Sequence, residues 1–193
     1  MNILVIKYTV RYLVCAAVLA SLGNFANAYK PEIGEKLSKL QDIEYVDGTP
    51  IDLEKLQGKP VVLYFGGDWC VPCVERGRPA ALAAARKYGP QGLKVIFVSM
   101  DDNNMRQQKI QESEQLGISI AMPTMNICPP GSCFHGIKSL GEQFGRIYVF
   151  PTAVVLDANG VVQAKMDRGM GIQGGLDGAV LKVMTSAGLL KAK

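Results

Sequence analysis

Cys70 and Cys73, separated by two residues in the run Trp69-Cys70-Val71-Pro72-Cys73, are the residues of this sequence best suited to chemistry. A disulfide exchanger needs an accessible thiolate and a second thiol that can reach it. Cys70 falls where a strand-like run gives way to a helical pattern, so its sulfur meets unpaired backbone N–H groups and the positive end of a helix dipole. Both favour the thiolate and lower the thiol pKa below its free value of about 8.5. Cys73 follows by nearly one helical turn, which puts the two sulfurs on one side. Pro72 removes a donor from the first turn, where it would go unused. Trp69 supplies a flat apolar wall. Cys70 is thus the expected attacking thiol and Cys73 the resolving one. Among the neighbouring charges, Asp68 opposes a thiolate on Cys70, whereas Arg76 and Arg78 favour it if they reach back. Glu75 is the nearest acid downstream.

A second pair, Cys128 and Cys133, encloses Pro-Pro-Gly-Ser, a turn-forming stretch that lets the two ends approach disulfide distance. A local staple is the simpler reading of this secondary disulfide; a second redox pair relaying electrons to Cys70 and Cys73 is the sharper one. The two pairs together could also supply four thiolates to a structural zinc, but Cys70 opens a helix after a buried strand, a context that favours redox chemistry, and no metal or other cofactor is expected. His135, the only histidine, has no triad partner and reads as incidental. The glycines at 169–178 lack a dinucleotide fingerprint and read as a loop entering the last helix. The polar segment from Arg106 to Gln115 reads as a solvated helix face.

The cysteine count takes its meaning from the first 28 residues. Lys7 and Arg11 are followed by an apolar run, Tyr12 to Leu22, and by Asn24-Phe25-Ala26-Asn27-Ala28, with small residues where a signal peptidase reads before a cut after Ala28. The run is 11 residues long, short of the roughly 18 expected of a spanning helix. A cleaved leader (1–28) is therefore favoured over a retained membrane anchor. Cys15 leaves with it, and the four remaining cysteines form an even set suited to an oxidising compartment. The net charge of +4 includes the two leader cations, so the mature chain carries +2. That is too near neutral to argue for nucleic acid. A composition of 48% hydrophobic and 20% charged residues is that of a globular chain, and residues 29–193 read as one domain.

The elements that must hold the pair follow from periodicity. Val61 to Phe65 is a continuous apolar run suited to a strand buried on both faces. From Pro72 to Tyr88 a helical pattern places Val74, Arg78, Ala81, Leu82, Ala85 and Tyr88 on one side, with a kink expected at Pro79. Leu93 to Met100 reads as a second buried strand, Asn103 to Leu116 as a helix stopped by Gly117, and Ile118 to Met122 as a third strand. A hairpin is expected around Asp47-Gly48, a helical turn at Asp52 to Leu56, and a helix from Ile137 to Phe144. Thr152 to Leu156 then turns at Asp157-Ala158-Asn159-Gly160 into Val161-Val162. A last helix beginning near Gln173 packs Leu176, Val180, Val183, Met184 and Ala187 together. Strands alternating with helices, closed by a hairpin and helix, predict an α/β sandwich around a mixed sheet.

The run from Val61 to Cys73, together with Val149-Phe150-Pro151-Thr152 and the strand–Asn-Gly–strand hairpin that follows, resembles the thioredoxin superfamily. The lead-in at Asp52–Lys59, the leader and the long connection after the middle strands resemble its TlpA/ResA-like branch of exported thiol–disulfide oxidoreductases. The resemblance implies a thioredoxin-like three-layer sandwich. It implies that Pro151 is a cis-proline facing the cysteines, and that Trp69, Phe150 and Pro151 form the edge on which an extended substrate chain is held. It also implies a periplasmic enzyme acting on protein disulfides or dithiols, more as reductant or isomerase than as disulfide-forming oxidant, with a membrane thiol relay protein as electron donor. A redox-silent binding or zinc-holding module is the alternative from another class. The sequence departs from the branch in two places. Arg76 stands where a proton-accepting glutamate often lies, with Glu75 one residue early and ~100° away around a helix. Asp68 replaces the usual threonine or serine, leaving Asp68 and Glu75 as the candidates for proton relay or pKa tuning.

Overall fold

Val61 to Phe65 does run through the middle of a sheet, and its burial on both faces follows from its place there. The computed structural model describes residues 32–37, 40, 42–124 and 149–190. The expected leader, the Cys128/Cys133 pair, His135 and the expected helix from Ile137 lie outside the described residues. Six strands form one sheet: β1 (Ile43–Tyr45), β2 (Val61–Gly66), β3 (Lys94–Ser99), β4 (Ser119–Pro123), β5 (Thr152–Leu156) and β6 (Val162–Asp167). Their order is β1-β4-β3-β2-β5-β6. β2, β3 and β4 are parallel, with Leu63 opposite Ile96 and Phe97 opposite Ile120. β5 runs antiparallel to β2, β6 to β5, and β1 to β4.

Alternation along the strands divides the interior in two. Val62 and Tyr64 point with Phe97, Ile120 and Met122 to one face; Val61, Leu63 and Phe65 point with Ile96 and Val98 to the other. The helices α1 (Arg78–Tyr88), α2 (Arg106–Leu116) and α3 (Gly169–Ser186) pack on the first face through Ala81, Ala84, Ile110, Ile172 and Leu176. A right-handed crossover from β2 to β3, and another stepping the same way to β4, puts α1 and α2 on the same side of the sheet. The second face is covered, among the described residues, by Leu37, Leu40 and Ile51, with Leu53, Leu56 and Phe150 against them. A mixed sheet between two layers is the three-layer architecture the sequence predicts.

Three local expectations need correction. The buried side of α1 and the turn before it is Cys73, Gly77, Ala81, Ala84 and Tyr88, whereas Val74 is exposed. Ala81 and Tyr88 are buried as expected, and the rest of this face is made by the small side chains of Cys73, Gly77 and Ala84, because the helix lies close against the sheet. The effect of Pro79 falls before it instead of at it: Cys73–Gly77 is a π turn, in which the Arg78 N–H donates to the Cys73 carbonyl five residues back. α3 begins at Gly169 rather than near Gln173, so the glycines expected in a loop lie inside a helix.

The turns are closer to expectation. Tyr45 N–H donates to the Thr49 carbonyl around Asp47-Gly48, but the returning arm amounts to one bridge at Pro50. Leu56 and Gln57 donate back to Leu53 and Glu54 in a helical turn. At the β5–β6 hairpin the Asp157 and Gly160 amides close the loop, with Gly160 at φ +79.

Candidate active site

Cys70 and Cys73 are joined in a disulfide, with Cα atoms 5.1 Å apart, at the point where the loop after β2 enters the helix. Cys73 is fully buried, and Cys70 shows 7% of its surface. The Cys73 N–H donates to the Cys70 carbonyl at 2.9 Å and lies 3.2 Å from Cys70 Sγ. A donor aimed at Cys70 sulfur stabilises a thiolate there and not on Cys73. The Cys73 carbonyl in turn accepts from Tyr64 Oη at 3.0 Å as well as from Arg78 N–H. Burial pushes the Tyr64 phenol well above its ordinary pKa, against the opposing Arg78 charge, so Tyr64 stays a neutral donor.

The Phe150–Pro151 peptide bond is cis, and this segment touches the cysteine region at two points. The Phe150 and Trp69 rings meet edge to face with centroids 5.7 Å apart. Pro151 lies over Gly77, where a Cβ would come within 2.8 Å of both Pro151 Cγ and Tyr64 Oη. Glycine at 77 is thus required by close approach, since no larger residue lets the proline loop rest on the π turn. The loop is fixed from behind by Thr152 Oγ1 donating to the Val149 carbonyl and by Arg168 N–H donating to that of Pro151. Trp69 is 53% exposed, and its indole N–H donates to the Met100 carbonyl at 3.3 Å. Val71, Val74 and Met170 are also exposed, so apolar surface accompanies the pair.

Below Trp69 lies a cluster of charges. Asp68 pairs with Arg78 through one carboxylate oxygen and accepts from Lys109 Nζ at 2.7 Å through the other. Lys109, 1% exposed, also meets Glu112 at 2.8 Å and Asp101 at 3.1 Å. Asp101 accepts from the Asp68 backbone N–H at 2.8 Å and from Ser99 Oγ at 2.6 Å. Burial works to raise the Asp68 pKa, but the hydrogen bonds and charges of Lys109 and Arg78 outweigh it and hold the carboxyl below its ordinary value. Burial likewise works to lower Lys109, and its carboxylate partners outweigh it, leaving the ammonium above its ordinary value.

The structure therefore brings Trp69, Cys70, Cys73, Phe150 and Pro151 together. Glu75 is on the exposed side of the π turn. Asp68 is not a bare charge beside Cys70 but one member of a paired cluster. The segment from Arg106 to Gln115 is not simply a solvated face either, since Lys109 is buried and Arg106 bonds Glu44 at 3.0 Å. Tyr64, Gly77, Asp101 and Lys109 are site residues that spacing and periodicity do not single out. The available signal was Asp68 itself, an acid between a buried strand and a cysteine, which needs a cation from elsewhere. No cluster of three or more His, Cys, Asp or Glu among the described residues is arranged to hold a metal. No helix among them is long and apolar enough to cross a membrane.

Comparisons with known proteins converge on this region. The profile of the AhpC/TSA family matches residues 33–165. A thiol-disulfide oxidoreductase ResA of Bacillus cereus is 27% identical over 167 residues, covering 86% of this chain and 88% of the relative. The ResA of Bacillus thuringiensis subsp. konkukian is 28% identical over 83% of this chain and 86% of its own length. Among solved structures, the thioredoxin domain of a thiol-disulfide oxidoreductase from Bacteroides vulgatus superposes with a TM-score of 0.55 at 18% identity, over 78% of this chain and 99% of that one. A secreted Mycobacterium tuberculosis disulfide oxidoreductase gives 0.51 at 18% identity, over 72% and 92%. The fold is thioredoxin-like.

Proposed function

The chain belongs to the AhpC/TSA family and is a thiol–disulfide oxidoreductase, and from that premise we propose that Cys70 and Cys73 carry the exchange in an exported protein working mainly as reductant or isomerase. The observation that carries the residue assignment is the Cys73 N–H directed at Cys70 Sγ. In the reduced enzyme the Cys70 thiolate attacks one sulfur of a substrate disulfide, and the other substrate sulfur leaves as a thiolate that takes up a proton. Cys73, losing its proton, attacks Cys70 in the mixed disulfide. The Cys70–Cys73 bond forms, the substrate departs as a dithiol, and two electrons have passed to it. Cys70 is the attacking residue because it has the donor and, at 7% against 0%, the more reachable sulfur; Cys73 is shielded until the mixed disulfide forms. An extended substrate chain lies along the Phe150–Pro151 edge with Trp69 as its apolar wall.

The exported setting rests on the leader-like segment 1–28, and a periplasmic location would suit it. The reducing direction rests on resemblance to the ResA-like branch, whose electrons would come from a membrane thiol relay. Cys70→Ser is expected to abolish insulin disulfide reduction. Cys73→Ser is expected to accumulate mixed disulfides on Cys70 that mass spectrometry identifies. Unchanged insulin reduction by Cys70→Ser removes the residue assignment. A potential of about −120 mV, in the range of strong oxidants, reverses the direction.

A further inference from the structure

We infer that Lys109 is a positioning residue for Cys70, keeping the Asp68 carboxylate from suppressing the Cys70 thiolate and holding the loop that carries the cysteine. The inference deepens the exchange reading and rests on it.

Lys109 comes from α2, an element that carries none of the redox residues. Its ammonium is sealed from water, and three carboxylates compensate: Asp68 at 2.7 Å, Glu112 at 2.8 Å and Asp101 at 3.1 Å. Two of these contacts reach the cysteine loop. Asp68, two residues before Cys70, is held by its side chain; through Asp101, whose other oxygen accepts from Asp68 N–H at 2.8 Å, it is also held by its backbone. Met100, the residue before Asp101, receives the Trp69 indole N–H. One ammonium thus fastens Asp68 to the segment just after β3, where the Trp69–Met100 hydrogen bond independently holds the next residue.

The charge count gives the contact its chemical effect. The cluster contains Asp68, Asp101 and Glu112 against Arg78 and Lys109, one negative charge in excess. Without Lys109 three carboxylates face Arg78 alone, and the nearest of them in sequence to Cys70 loses half its pairing. A thiolate close to uncompensated negative charge is disfavoured. The other charged or titratable groups around the pair are Tyr64 from β2, a neutral donor, Glu75 and Arg76 exposed on the π turn, and Arg168 exposed before α3. Asp68 takes its two cationic partners from Arg78 and Lys109, and none of these other groups replaces the lost one.

The test is the pH profile of Cys70 alkylation by iodoacetamide in the reduced full-length chain, read by mass spectrometry, with thermal melting to confirm folding. Lys109→Met is expected to raise the midpoint by about one unit, tenfold slower alkylation at neutral pH. Lys109→Arg is expected to keep most of the wild-type profile. Asp68→Asn combined with Lys109→Met is expected to return most of the shift, which a purely structural loss would not do. Should Lys109→Met fail to fold, Glu112→Gln removes one carboxylate, balances the cluster and is expected to lower the midpoint. A folded Lys109→Met with an unchanged midpoint, a shift that persists in the double variant, or an unmoved Glu112→Gln overturns the inference. A wild-type Cys70 that titrates like a free thiol, at about 8.5, overturns the exchange reading instead.

Discussion

The Cys73 amide hydrogen and the absent side chain of Gly77 show how single groups set this site. The amide is shared between the Cys70 carbonyl and Cys70 Sγ, so the same turn that starts the helix also distinguishes the two sulfurs. Gly77 acts by what it lacks, because rings of Pro151 and Tyr64 occupy the space a Cβ would need. Gly77→Ala cannot be relieved by rotating a flexible chain end. It is expected to cost about 1–3 kcal/mol in denaturant unfolding and to slow insulin reduction at least tenfold, as Pro151 is pushed off the π turn. Unaltered exchange in a destabilised variant would separate the proline contact from the chemistry. At this scale the sequence is legible where chemistry is local. Cys70, Cys73 and Trp69 announce themselves by spacing, whereas Lys109 lies 41 residues from Asp68 in a helix with no clear apolar side, and only the fold joins them.

Elements met by close approach are where periodicity misleads. The glycines of α3 look like loop residues because each lowers helix propensity, yet the helix includes them for different reasons. A Cβ at Gly169 would lie 3.0 Å from Arg76 Cβ and 3.1 Å from the Pro72 carbonyl, so the start of α3 abuts the turn bearing the cysteines. Gly174 and Gly178 have open space around them. Gly174→Ala and Gly178→Ala are each expected to stabilise the fold by about 0.5–1 kcal/mol, and Gly169→Ala to destabilise it, in parallel thermal melts. Equal gains at all three positions would mean that α3 does not press on the redox turn. The π turn was similarly hidden: Pro79 foretells a disturbed helix, but the missing donor is absorbed one turn earlier, which moves the buried face onto Cys73 and Gly77. Strands were easier to read, since Val61 to Phe65 is apolar throughout and buried throughout.

Across the whole molecule, the charge cluster links β3, the cysteine loop, α1 and α2, and its protonation should be felt as stability. Asp68 is held below its ordinary value, so its contribution is present above about pH 4 and fades as pH falls through the lower, folded value. Lys109 is held above its ordinary value, so its contribution is complete below about pH 10 and fades as pH rises through the higher, folded one. Denaturant unfolding is therefore expected to show a plateau between these limits and a decline on either side. Lys109→Met should flatten the acid limb that Asp68 contributes; an acid limb unchanged in that variant would assign it to other carboxylates. Added salt should alter this plateau little, because Lys109 is shielded, while the exposed Lys87–Asp177 pair between α1 and α3 is screened and contributes little. The layered architecture was legible from the alternation of strands and helices. The placement of all three described helices on one face was not, because that depends on the direction in which successive parallel strands step across the sheet.

Trp69 is the only tryptophan in the chain and immediately precedes Cys70, while its indole N–H donates to the Met100 carbonyl and its ring meets Phe150. A disulfide quenches an excited indole it meets, so the emission of this tryptophan is expected to depend on whether Cys70 and Cys73 are joined. Reduction of that bond is expected to brighten the tryptophan fluorescence, a label-free reading of the Cys70–Cys73 oxidation state that mass spectrometry of the same samples would check.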